Sequence, residues 1–289
     1  MCGYKNRLKQ SYDKINAIES QIYKSKFGDI EYLVKGEGIP LLISHGVAGG
    51  IDQGIGLINS FFYKRYRFVF VSRFGYLQST IPENPTVEKQ ADAFKDLLDH
   101  LRIESAVIYA NSAGSTSVLQ FALKYPQACS GLILQSANAP LGYNPGTPPK
   151  FIFKSNFLYW LFLKIFGKMM LTMFVPKSII KQLSRNEKKL LMDEVFFSSL
   201  PVSERSKGVL FDMHISNPSI EEDIPFRNIQ ARALILNAID DPATKISGAR
   251  TLADKIPKAK LVEFDTGGHL LYNQDKEVKK EIDKFLESL

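Results

Sequence analysis

A serine hydroxyl does little at neutral pH unless a turn lifts it clear of the backbone and a base takes its proton. The stretch Ala110-Asn-Ser-Ala-Gly114 meets the first of these needs. Before it, Ala106 to Ala110 is short, apolar and partly β-branched, which predicts a buried strand. After it, Ser115 to Tyr125 places Val118, Phe121, Ala122 and Tyr125 at helical spacing. A strand that turns at once into a helix requires small side chains two before and two after the apex, and Ala110 and Gly114 supply them. Ser112 then stands above the carboxyl edge of the sheet, over the free N–H groups and positive end of the helix. A serine so placed attacks a carbonyl carbon, and the N–H of Ala113 holds the oxyanion that forms. The same residues also suit a plain small-residue corner in which Ser112 or Ser115 caps the helix. Partners elsewhere in the chain decide between the two.

The stretch resembles the nucleophile elbow of the α/β-hydrolase fold, Gly-x-Ser-x-Gly, with Ala110 in place of the first glycine. The resemblance implies an α/β architecture: a mainly parallel sheet flanked by helices, with an inserted helical cap. It also implies the chain order nucleophile, acid, histidine. Two stretches match in that order. Asp240-Asp-Pro-Ala-Thr follows the predicted strand Ala233–Ala238. In the family's register the acid precedes the proline, which assigns Asp241, with Asp240 as the competing neighbour. Gly267-Gly-His-Leu-Leu follows the last predicted strand, Lys260–Phe264, and assigns His269 as the base. Leu41 to Ser44 runs into His45-Gly-Val-Ala-Gly-Gly50, where the fold keeps its second oxyanion donor. That implies the N–H of Val47, with His45 as a structural hydrogen-bonder. Ser72-Arg-Phe-Gly-Tyr-Leu-Gln-Ser79 resembles the family's Asp-x-x-Gly-x-Gly-x-Ser loop, with Ser72 for the acid and Leu77 for the second glycine.

The implied chemistry is hydrolysis of a carboxylic ester through an acyl-enzyme on Ser112, with a small-molecule acyl substrate and no metal or cofactor. Amidase, carbon–carbon bond hydrolase, acyltransferase and non-catalytic receptor stay open. A serine at the apex speaks against the dehalogenases and epoxide hydrolases, whose nucleophile is a carboxylate.

These residues need elements to hold them. Strand patterns at 27–34, 41–44, 67–71, 106–110, 131–134, 233–238 and 260–264 alternate with helical ones, which predicts right-handed crossovers. Residues 1–26, with Tyr12, Ile15, Ile18 and Ile22 at helical spacing, read as a helical extension packed outside the domain. Residues 27–138 and 225–289 form the core. Between them, at 139–224, the rhythm stops after Pro140, Pro145, Pro148 and Pro149, and helical patterns rich in Phe, Leu, Met and Lys form the cap.

Composition sets the remaining bounds. At 289 residues and 45% hydrophobic, the chain suits one α/β domain with an insertion better than two equal domains. Two cysteines, Cys2 and Cys129, make no disulfide framework, and Cys129 reads as a buried thiol. Cys2 directly after Met1 would also fit the cysteine that begins a mature lipoprotein. The four histidines are scattered, so no metal cluster is expected. From Lys150 to Lys189 nine lysines and arginines face one acid, Glu187, a surplus of +8 in a chain whose whole charge is +7. The charge is therefore local, and no nucleic-acid partner is expected. Within this segment Phe151 to Phe174 is apolar and aromatic but broken by Lys154, Lys164 and Lys168, so it should not span a bilayer. It fits either peripheral contact with an anionic membrane or an apolar roof over the site with snorkelling lysines. Its rings and methionines, among them Phe157, Trp160, Phe162 and Met170, read as cap core rather than pocket. These features place the protein in the cytoplasm or on a membrane face. Oligomeric state is not legible.

Overall fold

Residues with β-branched or aromatic side chains on both faces can only be stable in a sheet covered on both sides. A computed structural model describes residues 2–58, 65–140, 149–221 and 224–289 and places the strands in this way. Among the described residues the eight strands are β1 Gln21–Ser25, β2 Gly28–Lys35, β3 Ile39–Ser44, β4 Tyr66–Val71, β5 Ala106–Asn111, β6 Cys129–Gln135, β7 Ala233–Ala238 and β8 Ala259–Phe264. They lie in the order β1-β2-β4-β3-β5-β6-β7-β8. β1 and β2 are antiparallel to their neighbours, and β4 through β8 run parallel.

The helices are α1 Cys2–Asn16, α2 Ile51–Ile58, α3 Val87–His100, α4 Ser115–Lys124, α5 Lys150–Phe153, α6 Asn156–Leu171, α7 Lys177–Gln182, α8 Arg185–Val195, α9 Ser206–Phe211, α10 Ile246–Lys255 and α11 Asp275–Glu287. The period-2 alternation of β3 shows the layering. Leu42 packs with α3, α4 and α10, while Leu41 and Ile43 pack with α2 and α11 on the other face. Cys129 is buried at the start of β6, and burial pushes its thiol up to about 12.

The expectation of a mainly parallel sheet flanked by helices holds, with one local correction. The helical spacing read through Ile22 stops at Asn16, and Gln21–Ser25 is an edge strand. Gly28, at φ 101°, closes a tight hairpin that pairs Ser25 with Gly28 and Tyr23 with Ile30, and this pairing outweighs the helical period. α1 packs against α6 and α8 rather than on the sheet layers: Tyr4 sits edge-on to Phe157 of α6 at 5.3 Å, and Arg7 pairs with Asp193 of α8 at 2.6 Å.

Between β6 and β7 the described chain is helical. Its apolar side chains form a third cluster that includes Leu163, Leu171, Val175 and Val209, with Tyr76 of the sheet unit at its base. Pro145 and Pro148, read as marking the exit from the sheet, lie outside the described residues.

Candidate active site

Strand order places the site. β3 has β4 on one side and β5 on the other, so the chain leaves their carboxyl ends in opposite directions and opens a crevice there. The loop after β3 and the turn after β5 therefore face each other, and the register pairs Ser44 with Ala110.

At the end of β5 the chain turns through a single 3₁₀ turn, Ser112–Gly114, into α4. Ser112 adopts φ 49°, in the left-handed region that an L side chain rarely occupies. Gly114 must be small: a Cβ there would lie 2.5 Å from His45 O and 2.7 Å from Ser44 O. Ser112 caps nothing, and its carbonyl accepts from Ser115 Oγ at 2.6 Å.

The three sequence-assigned side chains meet. Ser112 Oγ lies 2.9 Å from His269 Nε2, and His269 Nδ1 lies 3.0 Å from Asp241 Oδ2. Asp241 and His269 are each 5% exposed. The carboxylate has further donors: Ala243 N at 2.7 Å and Thr244 N at 3.0 Å on Oδ1, and Thr244 Oγ1 at 2.7 Å on Oδ2. Burial pushes its pKa up, but the facing imidazole and the Thr244 hydrogen bonds outweigh this and hold it below the usual aspartate value. Asp240 does different work. It accepts from Gly268 N at 2.8 Å and from Thr266 Oγ1 at 2.7 Å, and so fastens the loop that carries His269. The helical stretch holds that loop from the other side, with His269 N donating to Phe174 O at 2.8 Å. Gly268, at φ 60°, lies so close that a Cβ would meet Pro176 Cδ at 2.4 Å.

The loop His45–Gly50 lies against Ser112, with a Cβ on Gly46 only 3.5 Å from the serine Cβ. Neither Val47 N nor Ala113 N donates to another group of the described residues. His45 is fully buried, and burial followed by the charge of Arg73 pushes its pKa well below 6.5. Its Nε2 accepts from Arg73 N at 3.0 Å, so Nδ1 carries the proton and donates to Gly46 O at 2.8 Å. Because Nε2 is occupied and the ring stays neutral, His45 is a support and not a base.

Sequence reading missed the groups that hold this loop. Arg73 donates from Nε to His45 O at 2.9 Å and from Nη2 to Gly46 O at 3.2 Å. Its guanidinium forms a bidentate pair with Asp212, both contacts at 2.6 Å and both side chains fully buried. Tyr76 Oη donates to the same carboxylate, and burial and the Asp212 charge keep its phenol protonated. Arg205 donates to Gly49 O and pairs with Asp52 at 2.8 and 3.0 Å. Asp212 and Arg205 belong to the helical stretch, and Arg73 and Asp52 to the sheet unit. Two buried ion pairs thus join the stretch to the loop carrying Val47. The only sequence signal was the acid–base complementarity of four residues far apart in the chain.

Two departures from the family's loop pattern have structural answers. Leu77 takes φ 48°, the conformation a glycine would adopt without strain. Ser72 Oγ donates to Glu31 Oε2 at 2.7 Å, so the loop's carboxylate comes from β2.

Above Ser112 and His269 opens a cavity of about 1450 Å³ whose walls include Val47, Phe162, Met170 and Met173. Phe162 and Met170, read as cap core, are on its wall.

The sequence model of the α/β hydrolase fold matches residues 39–275, and the chain belongs to that family. It is 27% identical over 262 residues to an uncharacterized hydrolase, YcgS, of Bacillus subtilis (strain 168), covering 85% of this chain and 89% of that protein. Among solved structures it resembles an enol-lactonase from Burkholderia xenovorans LB400 with a TM-score of 0.71 at 16% identity, over 92% of this chain and 100% of that one. It also resembles a thermophilic esterase from Thermogutta terrifontis, with a TM-score of 0.70 at 20% identity, over 94% of this chain and 99% of that one.

Proposed function

We propose that the protein is a serine hydrolase that cleaves carboxylic esters through an acyl-enzyme on Ser112. The observation that carries this reading is the unbroken line Ser112 Oγ, His269, Asp241, at 2.9 and 3.0 Å, with Ser112 on a left-handed turn at the floor of a large, mostly apolar cavity. Ser112 attacks the acyl carbon while His269 Nε2 takes its proton. Asp241, kept ionised, holds the Nδ1–H tautomer and stabilises the imidazolium. The N–H groups of Ala113 and Val47 receive the negative oxygen of the tetrahedral intermediate. Collapse breaks the acyl–oxygen bond, and the alcohol leaves with the proton from His269. Water then enters, gives a proton to His269, and attacks the acyl carbon. Release of the acid returns that proton to Ser112.

An acyl–oxygen bond suits these residues because its cleavage asks only for a nucleophile, an oxyanion site and a base that returns its proton to the leaving alcohol. The described residues between β6 and β7, 149–221, act as a cap that roofs the site, and the mostly apolar cavity suits an acyl chain of some length. The test is a series of p-nitrophenyl esters of increasing acyl length, with a fluorophosphonate probe for the activated serine. Labelling of the wild type is expected, and Ser112→Ala and His269→Ala should each lose on the order of 10³-fold or more in kcat/KM. A folded wild-type protein that neither labels nor turns over any ester overturns the reading.

A further inference from the structure

We infer that the outer face of α6 is a docking surface for an anionic phospholipid bilayer. α6 has two apolar faces, and only one is covered. Tyr159, Leu163, Gly167 and Leu171 are buried against the rest of the helical stretch. At about 100° per residue the opposite side carries Leu158, Leu161, Ile165 and Met169. These are 39%, 37%, 62% and 65% exposed, and Phe166 beside them is 42% exposed. A surface helix that leaves a second apolar face uncovered is a helix with a missing partner.

Charge identifies that partner. Lys164 and Lys168 lie along one flank of the face, Lys154 stands just before the helix, and all three are exposed. They belong to the segment with nine basic residues and one acid. A second copy of the chain would bring the same lysines against these, and an ordinary protein core offers them nothing. Lipid phosphates meet them while the apolar side chains enter the acyl boundary. The helix lies in the plane of the surface and does not cross it. Its 16 residues reach about 24 Å, short of the ~30 Å hydrocarbon layer, and no helix among the described residues is long and apolar enough to span.

The docking face adjoins the cavity. Met169, the most exposed residue of the face, also lines the cavity wall, so the cavity approaches the surface where the bilayer would lie.

The test is co-sedimentation of the full chain carrying Ser112→Ala with vesicles of phosphatidylcholine alone or mixed equally with phosphatidylglycerol. Turnover is not read, so failure here leaves the hydrolase reading standing, and failure of hydrolysis leaves this one standing. The expected result is sedimentation with the anionic vesicles at low salt and release at high salt. Paired Lys164→Glu and Lys168→Glu should lower the bound fraction on the order of tenfold or more, and Ile165→Asn with Phe166→Asn should do the same while thermal unfolding is unchanged. No sedimentation at low salt overturns the proposal, as does binding that both α6 variants retain. A concentration-dependent dimer in light scattering that Ile165→Asn dissolves assigns the face to a second copy and overturns it too.

Discussion

The two aspartates before Pro242 differ by one position in the chain and by their task in the site. Asp241 faces the imidazole of His269 at 3.0 Å, while Asp240 takes the N–H of Gly268 and the hydroxyl of Thr266. Asp241→Asn should lower kcat by about 10³- to 10⁴-fold, because an amide no longer selects the tautomer or stabilises the imidazolium. Asp240→Asn only loosens the loop and should cost no more than about 10²-fold. Steady-state kinetics on a p-nitrophenyl ester compares them, and the reverse ranking would move the acid to Asp240. A second residue-scale effect concerns pH. His45 is neutral in the folded state with its pKa pushed well below 6.5, whereas the unfolded chain titrates near 6.5. Its contribution to stability is whole above that pH and is lost as pH falls toward the folded value. Urea midpoints measured from pH 7 downward should fall below about pH 6.5, and His45→Gln should flatten that part of the curve. Which aspartate faces the histidine was readable from the Asp-Pro register. The burial that silences His45 was not, because it comes from Arg73 and Tyr76, brought over by β4 and its following loop.

At the scale of elements, strands and crossovers were legible because each strand is a short apolar run bounded by turn residues. β7 and the Ser112 corner match the expectation almost residue for residue. β1 was not legible, since its pairing with β2 is decided by a hairpin and its exposed face shows no clean alternation. The arginine clamps were illegible for another reason: Arg73 and Asp212 are separated by 139 positions, and Asp52 and Arg205 by 153. Neither partner has a local pattern. The clamps carry a prediction about how the helical stretch serves the site. Asp212→Asn leaves the Arg73 guanidinium buried and uncompensated, which should cost about 3–5 kcal/mol. Replacing both, as Arg73→Met with Asp212→Leu, should recover most of that stability in urea unfolding. It should not recover kcat, because the carbonyls of His45 and Gly46 have still lost their donor. Recovery of both together would show the clamp to be structural only.

At the scale of the molecule, the sheet supplies Ser112, Asp241 and His269, and the helical stretch supplies much of the cavity wall and one hydrogen bond to the His269 loop. α1 then braces that stretch from outside through Tyr4 and Arg7. The whole-chain charge of +7 describes neither part well, since the surplus sits in one segment of the helical stretch. Family membership, the sheet and the meeting of Ser112, His269 and Asp241 could be read from motifs because the fold confines them to strand ends. The shape of the cavity could not, because its walls come from a region whose residues are chosen for filling space rather than for any local turn or cap.

The φ of 49° at Ser112 has a thermodynamic consequence. A non-glycine residue in that conformation costs roughly 1–2 kcal/mol, and glycine avoids it at the expense of some extra freedom in the unfolded chain. Ser112→Gly should therefore unfold at higher urea than the wild type, by about 0.5–1 kcal/mol, whereas Ser112→Ala keeps the penalty and should gain nothing. The inactive glycine variant would be the more durable molecule. Stability and geometry compete for one backbone angle, and at this corner the chain gives up part of its folding free energy to keep the Ser112 hydroxyl 2.9 Å from His269 Nε2.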